Sequence, residues 1–383
     1  MVIVVLTTCH KPDDDRIYYK EICSLISKYS KVLLIAPVSS SEIYELSPCV
    51  ELYSIPRRRG IFGRLLTVLE AAMKVVRLRP DICHFHDLDF VIMVPLIKML
   101  CRTAMVYDVH EVYPESMLIS PNILLPFRPL AAMIVNIIEK TCAKYCSLIV
   151  TADLPNSQSF LSTGVPTVTL FNYPRLSLFQ LSPKPAQELS SVISGRRILI
   201  YQGTISRDRG LFHMLDGMRI LKEEVPEVLL LIVGLNNVSL RAEADVQIQR
   251  DGLGDHIHII PWVAHTEIAS YIALAEIGLV PLQPSVKYSK NIPIKVFEYM
   301  ACGIPLLASD IPSIAYYIKK SMAGVLYDAT DAQAFAYQIK RMLDDSAMLQ
   351  IMSKAGREYV VHHWNWCEME KLLLKAYAEL ESA

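Results

Sequence analysis

A chain of 383 residues, 52% of them hydrophobic, is long enough to bury two cores and too long for one small domain. Its 38 basic and 39 acidic residues leave a net charge of −1, so no overall field exists to hold a nucleic-acid backbone, and nucleic acid is excluded as a partner. The nine cysteines form no CxxC pair and mostly lie in apolar runs, which reads as buried thiols of a reducing, cytoplasmic compartment.

In chain order, "MVIVVLTT" lacks the basic start and small-residue cleavage site of a signal peptide and reads as a buried strand. The following "HKPDDDRIYYK" carries Asp14 and Arg16, which either pair to shape a loop or meet an acceptor. After "KVLLIAP", residues 57–79 spell an amphipathic helix with a polar stripe (Thr67, Glu70, Lys74, Arg77) and an apolar one (Leu65, Leu69, Ala72, Val76). Such a helix either docks on a sheet or lies in an anionic membrane surface through Arg57, Arg58, Arg59, Arg64, Lys74 and Arg77. A mean hydropathy of +0.31 favours membrane contact, at the inner face of the cell membrane. The strand "ICHFH" holds His84 and His86 at alternating spacing; with no third ligand apparent, they read as cleft-lining residues and no metal is assigned. "AMVYDVH" ends at His110, and Glu111 follows as a candidate acceptor or cleft residue. The apolar stretch 116–140 is broken by Pro121, Pro126, Arg128 and Pro129, leaving no uncharged run of about 18 residues to span a bilayer.

"SLIVTAD" is the fifth strand of the first half, and "LSPKPAQELSSVISG" (181–195) reads as a linker. The second half repeats the pattern with "RILIYQG", "VLLLIVG", "IHIIPW", "IGLVPL", "PLLASD" and "AGVLYD". Apolar runs without polar alternation, separated by helical patterns, predict strands covered on both faces: two doubly wound α/β halves, 1–180 and 196–361. A final helix, 362–383, is expected to pack back on the first. Trp262, Trp364 and Trp366 read as packing residues, with base stacking the second reading for Trp262.

In doubly wound folds ligands sit beyond the carboxyl ends of strands. There, "GTISRDRG" (203–210) offers Gly203 for close backbone approach and Arg207 or Arg209 for a phosphate. It is neither GxGxxG nor a Walker loop. In "NIPIKVFEYMACGIPLLASD" a helix starting near Pro293 and ended by Gly303 and Pro305 presents Lys295 and Glu298 near one face. The carboxylate either holds the hydroxyls of a ribose or pairs with Lys295.

These last residues, with "YQGTISRDRGL", "YDVHEVYPES" and "HKPDDDRIYYKE", resemble the retaining nucleotide-sugar transferases of glycosyltransferase family 4 (group 1), over nearly the whole chain and in the same order. The resemblance implies the GT-B fold: two Rossmann-like doubly wound domains facing across a cleft, the first for the acceptor and the second for the donor, with no obligatory metal or cofactor. It makes Glu298 the ribose acid and Arg209 the basic residue of the diphosphate loop, with Thr204 where many members have an arginine. It puts Lys290 where the first motif glutamate would stand, with the backbone of Asn291 and Ile292 and the Lys295 side chain meeting the donor. His110 takes the place facing the donor sugar. The implied chemistry is electrostatic, with Arg209 and the helix start near 291–293 stabilising the departing diphosphate and no protein nucleophile.

The leading expectation is therefore transfer of a sugar from a nucleoside diphosphate sugar to a hydroxyl of a glycan or lipid-linked glycan. The alternatives are an epimerase or phosphorylase of the same fold, or a degenerate, non-enzymatic partner of an active transferase.

Overall fold

The computed structural model describes residues 1–39, 42–58, 60–120, 122–179, 189–285, 288–289 and 292–382. Arg59, Pro121, Lys290, Asn291 and most of the expected linker lie outside these.

The chain divides into two compact units, 1–172 with 366–383, and 173–365. The first holds seven strands: β1 Ile3–Leu6, β2 Val32–Val38, β3 Val50–Pro56, β4 Ile82–Phe85, β5 Ala104–Val109, β6 Leu148–Thr151 and β7 Thr167–Thr169. All pair in parallel in the order β3-β2-β1-β4-β5-β6-β7. The second holds six: β8 Arg197–Gln202, β9 Val228–Val233, β10 Ile257–Ile260, β11 Ile277–Val280, β12 Leu306–Ser309 and β13 Gly324–Tyr327. They too are parallel, ordered β10-β9-β8-β11-β12-β13. Both units thus have the expected doubly wound α/β architecture. The order reverses between β1 and β4 and between β8 and β11, the places where such sheets open a crevice at their carboxyl ends.

The central strands β1, β4, β6, β9, β11 and β12 are buried at every residue, as predicted for strands covered on both faces. The sequence reading missed β3 and β7. They are the two edge strands, partly exposed and, for β7, three residues long, so neither makes the continuous apolar run of a central strand.

The unit boundary falls before the expected residue 180 because Tyr173 already belongs to the second unit, its ring 4.9 Å from that of Phe297. The C-terminal helix Trp366–Glu381 does return to the first unit. There Trp366 Nε1 donates to Ser24 Oγ (2.8 Å), Ser24 Oγ donates to Glu370 Oε2 (2.7 Å), and the Tyr377 hydroxyl lies 2.8 Å from His84 Nδ1. Trp364 and Trp366 are buried, as expected of packing residues.

The helix Gly60–Leu78 turns a different face inward from the one its stripes suggested. Thr67, Val68, Ala71, Ala72 and Val75 are buried, whereas Leu65, Leu66 and Leu69 are exposed. Thr67 is accommodated because its hydroxyl donates to the carbonyl of Gly63 at 3.0 Å. Among the described residues, no helix is long and apolar enough to cross a membrane.

Candidate functional site

The second unit carries a cavity of about 430 Å³ at the carboxyl ends of its strands. Gln202 and Gly203 end β8, Val233 and Gly234 end β9 with Asn236 and Asn237 following, and Trp262, Val263 and His265 come after β10. Asn236 Oδ1 accepts the Trp262 backbone N–H at 3.0 Å, and Asn237 caps the helix Val238–Arg250 through the Leu240 N–H at 2.9 Å. Trp262 is 58% exposed, so it lines the cavity mouth rather than packing inside, a correction to the sequence reading. Gln202, Asn236 and Asn237 also escaped that reading. The signal for them was present, since each follows directly on an apolar strand run.

Across the β8/β11 switch point stands the short helix Lys295–Ala301, buried at every residue. Tyr299 seats it: its hydroxyl accepts the Gln202 N–H (3.1 Å) and donates to the Ile200 carbonyl (3.3 Å), while its ring covers Gly278 of β11 so closely that a Cβ there would lie 2.6 Å from it. The helix is followed by Gly303 at φ +68°, the predicted stop. This seating aims two ionisable residues at the end of β8. Glu298 accepts from Gln202 Nε2. Lys295 Nζ lies 3.4 Å from the centroid of the Tyr201 ring and 4.0 Å from where a Cβ on Gly203 would stand. That ammonium is buried and, among the described residues, has no hydrogen-bond partner, so the Lys295–Glu298 ion pair weighed from sequence is not a hydrogen-bonded one. Burial, then the nearby Arg209 charge, holds its pKa well below the lysine range, with Glu298 opposing.

The loop after β8 separates the two candidate arginines. Arg207 pairs with Glu243 and lies over the Phe212 ring at 4.6 Å. Arg209 instead turns back, donating from Nη1 to the Thr204 carbonyl at 3.2 Å, which also accepts the Tyr201 hydroxyl at 3.0 Å. The turn requires Gly210, at φ +87°, where a Cβ would meet the Pro281 carbonyl oxygen at 2.1 Å. Gly203, Thr204, Arg209, Lys295 and Glu298 are thus gathered at one strand end, with Ile292 partly buried three residues before the helix. The helix begins at Lys295, so residues 292–294 precede it.

In the first unit the expected acceptor residues divide. Asp14 caps the helix Asp15–Ile22 by accepting the N–H groups of Arg16 (3.0 Å) and Ile17 (3.2 Å), and its Oδ2 lies 3.2 Å from His10 Nδ1. Arg16 is buried: its Nε and Nη2 donate to Asp108 at 3.0 and 3.1 Å and its Nη1 to the Leu170 carbonyl at 2.8 Å. It is a structural guanidinium, and the idea that it pairs with the Asp14 side chain or meets an acceptor is corrected. His86 is likewise wholly buried rather than cleft-lining, its Nδ1 3.2 Å from Nε2 of His110. His110 is 18% exposed, and Glu111 is exposed, accepting from Ser116 Oγ at 3.2 Å. His84 and His86 prove to have two companions the sequence did not show, Glu21 and Asp108, all four fully buried.

Of the expected membrane residues, Arg57 and Arg77 are exposed, while Arg58 pairs with Glu70 at 2.9 Å and Arg64 with Asp89 at 2.9 Å; Lys74 is half-buried.

Residues 186–359 match the family model described as "Glycosyl transferases group 1". The D-inositol 3-phosphate glycosyltransferase of Paenarthrobacter aurescens (strain TC1) is 24% identical over 188 residues, 48% of this chain and 44% of that protein. The chain spans less than two thirds of the length of the curated relatives it matches. Among solved structures, the sucrose-phosphate synthase of Thermosynechococcus elongatus superposes with a TM-score of 0.77 at 19% identity over 100% of both chains. HepE of Anabaena, in complex with UDP-glucose, superposes with a TM-score of 0.73 at 14% identity, covering 99% of this chain and 100% of that one. The chain therefore has the GT-B fold, and residues 186–359, within its second unit, are similar to the group 1 glycosyl transferases.

Proposed function

We propose that this protein transfers a sugar from a nucleoside diphosphate sugar to a hydroxyl acceptor, with retention, in the assembly of a surface polysaccharide or glycolipid. The observation that carries the reading is Lys295: a buried ammonium with no hydrogen-bond partner among the described residues, at the end of β8 beside Gly203 and Arg209. An unpaired buried cation is costly unless an anion completes it. A diphosphate does so, and it also satisfies Arg209. The adjoining cavity, with exposed Trp262 at its mouth, accommodates the base, and Glu298 accepts from the ribose hydroxyls. Uridine is the first base to test, because HepE binds UDP-glucose.

The chemistry assigned to these residues is charge stabilisation. As the sugar–phosphate bond breaks, negative charge grows on the diphosphate, and two fixed cations placed for it lower the barrier. No protein nucleophile and no metal enters this step. The acceptor oxygen bonds to the anomeric carbon on the face from which the diphosphate departs, and the departing phosphate oxygen takes the acceptor proton. His110 at the end of β5 positions the donor sugar, as the family resemblance implies.

Membrane contact belongs to the same reading. The helix Gly60–Leu78 exposes Ile61 (87%) and Phe62 (84%), and the segment before the helix Arg128–Ala143 exposes Leu124 (73%) and Leu125 (71%). Large apolar side chains at such exposure, with Arg57 and Arg77 exposed on or beside the same first helix, fit a surface that rests in an anionic lipid interface and receives a lipid-linked acceptor.

The test is a thermal-shift panel of UDP-, GDP- and ADP-sugars on the wild type. One sugar nucleotide at about 100 times its Kd should stabilise by about 2.7 kcal/mol. Absence of any shift across the panel removes the donor-site reading.

A further inference from the structure

The first unit contains a second constellation that the transfer reaction does not use. Glu21 projects from the helix Asp15–Ile22, His84 lies in β4, His86 just beyond it, and Asp108 in β5; all four are fully buried. The parallel register aligns His84 with Val106, so Asp108, two residues on, sits beside His86 on the same face of the sheet. One donor atom from each residue lies within 4.8 Å of the other three. His84 Nε2 is 3.8 Å from Glu21 Oε2 and 3.7 Å from Asp108 Oδ2, and His86 Nε2 is 3.5 Å from Glu21 Oε2. Four donors bound tetrahedrally at about 2.0–2.1 Å stand about 3.4 Å apart, close to this spacing.

Of the polar atoms facing the centre, those of Glu21 and the two histidines are unpaired among the described residues, while Asp108 Oδ2 accepts from Arg16 Nε at 3.0 Å. Among the described residues, neither oxygen of Glu21 and neither Nε2 of the two histidines has a hydrogen-bond partner, although buried polar groups are almost always satisfied. Arg16 Nε stands 3.0 Å from Glu21 Oε1 but directs its hydrogen to Asp108. The groups outside the centre, by contrast, are engaged as ligand-orienting partners are. The Tyr377 hydroxyl meets His84 Nδ1 at 2.8 Å, His110 Nε2 meets His86 Nδ1 at 3.2 Å, and Arg16 clasps Asp108 with two hydrogen bonds. Burial, then the Asp108 charge, holds the Glu21 carboxyl well above the usual carboxylate range, a cost that a bound divalent cation relieves.

We propose that Glu21, His84, His86 and Asp108 bind a divalent transition-metal ion, zinc foremost, through Glu21 Oε2, the two histidine Nε2 atoms and Asp108 Oδ2. Two imidazoles and two carboxylates are a donor set suited to that ion. The centre is structural. It ties the helix after β1 to β4 and β5, and by occupying Nε2 of His86 it leaves the proton on Nδ1, which then donates to His110 Nε2 and orients that ring.

The test uses the full-length, untagged protein expressed in minimal medium supplemented with zinc or with cobalt, so that the ion is present while the chain folds, and purified without chelator. Elemental analysis should find one ion per chain after gel filtration, and the cobalt form should show the intense visible bands of four-coordinate Co2+. Both should be lost in Glu21→Gln and His86→Gln and kept in a variant with His362→Gln and His363→Gln, which controls for surface histidines. If the first two variants fail to fold, Tyr377→Phe decides, because loss of a ligand's orienting partner should weaken zinc binding by about 10- to 100-fold with an unchanged circular dichroism spectrum. Sub-stoichiometric metal in the wild type, or binding that persists in Glu21→Gln, overturns the proposal and leaves the centre holding a proton shared between the two carboxylates.

Discussion

Lys295 Nζ lies buried 3.4 Å from the centroid of the Tyr201 ring, facing the ring without a hydrogen-bond partner among the described residues. A cation–π contact offsets only part of the cost of burying an ammonium. The position is therefore one that a protein selected for stability alone would fill with an apolar side chain.

Replacing Lys295 by Met tests this directly. Loss of a charge-assisted hydrogen bond worth about 1.5–3 kcal/mol weakens diphosphate binding by about 10- to 150-fold. The melting temperature of the free protein should stay level or rise, because the unpartnered charge is gone. A variant that melts much lower and binds the nucleotide normally would make Lys295 a structural residue.

The same lysine gives the binding reaction a pH dependence. Burial holds its pKa down in the free protein, and a bound diphosphate raises it, so binding draws in a proton. A group whose pKa is higher in the complex strengthens binding below that value and loses its contribution as pH rises through it. Calorimetric titrations in two buffers of different ionisation enthalpy should therefore give different apparent enthalpies at equal affinity. Identical enthalpies would show that no proton moves.

The two loop arginines should separate cleanly. Arg209→Ala should lower turnover by about 10²–10³ with an unchanged fold, the scale of removing one preorganised charge-stabilising donor. Arg207→Ala, which breaks a surface pair with Glu243, should stay near wild type, since exposed pairs contribute about 0–1 kcal/mol. Product analysis in the same assay, with and without acceptor, distinguishes a transferase from an epimerase, and binding without turnover would mark a non-enzymatic partner.

Glu298→Gln should cost affinity for a ribonucleotide while leaving that for its 2′,3′-dideoxy counterpart nearly unchanged. Competition titrations measure the ratio. An equal loss for both would place Glu298 away from the sugar hydroxyls and leave it as the acceptor of Gln202 Nε2.

Much of this was legible in the sequence, for identifiable reasons. Both central sheets declared themselves because strands covered on two faces must be apolar throughout, as β9 and β11 are. Lys295, Glu298 and Arg209 were legible because a site at strand ends keeps its residues within short segments. What stayed hidden depended on pairing across the chain. Edge strand β3 buries only Val50 and Ile55, the inward face of Gly60–Leu78 includes a Thr67 whose hydroxyl bonds within the helix, and Glu21 and Asp108 reach His84 and His86 only once β4 and β5 are side by side. Trp262 was misread because exposure of an aromatic residue after a strand is a tertiary property.

Membrane contact is checked by flotation with anionic vesicles. Ile61→Ser with Phe62→Ser should reduce lipid partition by about 100-fold or more, as each fully buried apolar side chain is worth about 1.5–3 kcal/mol. Neutralising residues 57–59 should instead remove the salt-sensitive part. Partition unaffected by either change would discard the surface.

The central claim is that the second unit grips a diphosphate through Lys295 and Arg209 and its ribose through Glu298. A crystal structure with a bound nucleoside diphosphate sugar tests it most directly. The account predicts diphosphate oxygens about 2.7–2.9 Å from Lys295 Nζ and the Arg209 guanidinium, with the ribose hydroxyls on Glu298. A diphosphate bound elsewhere, with Lys295 still facing only the Tyr201 ring, would contradict it.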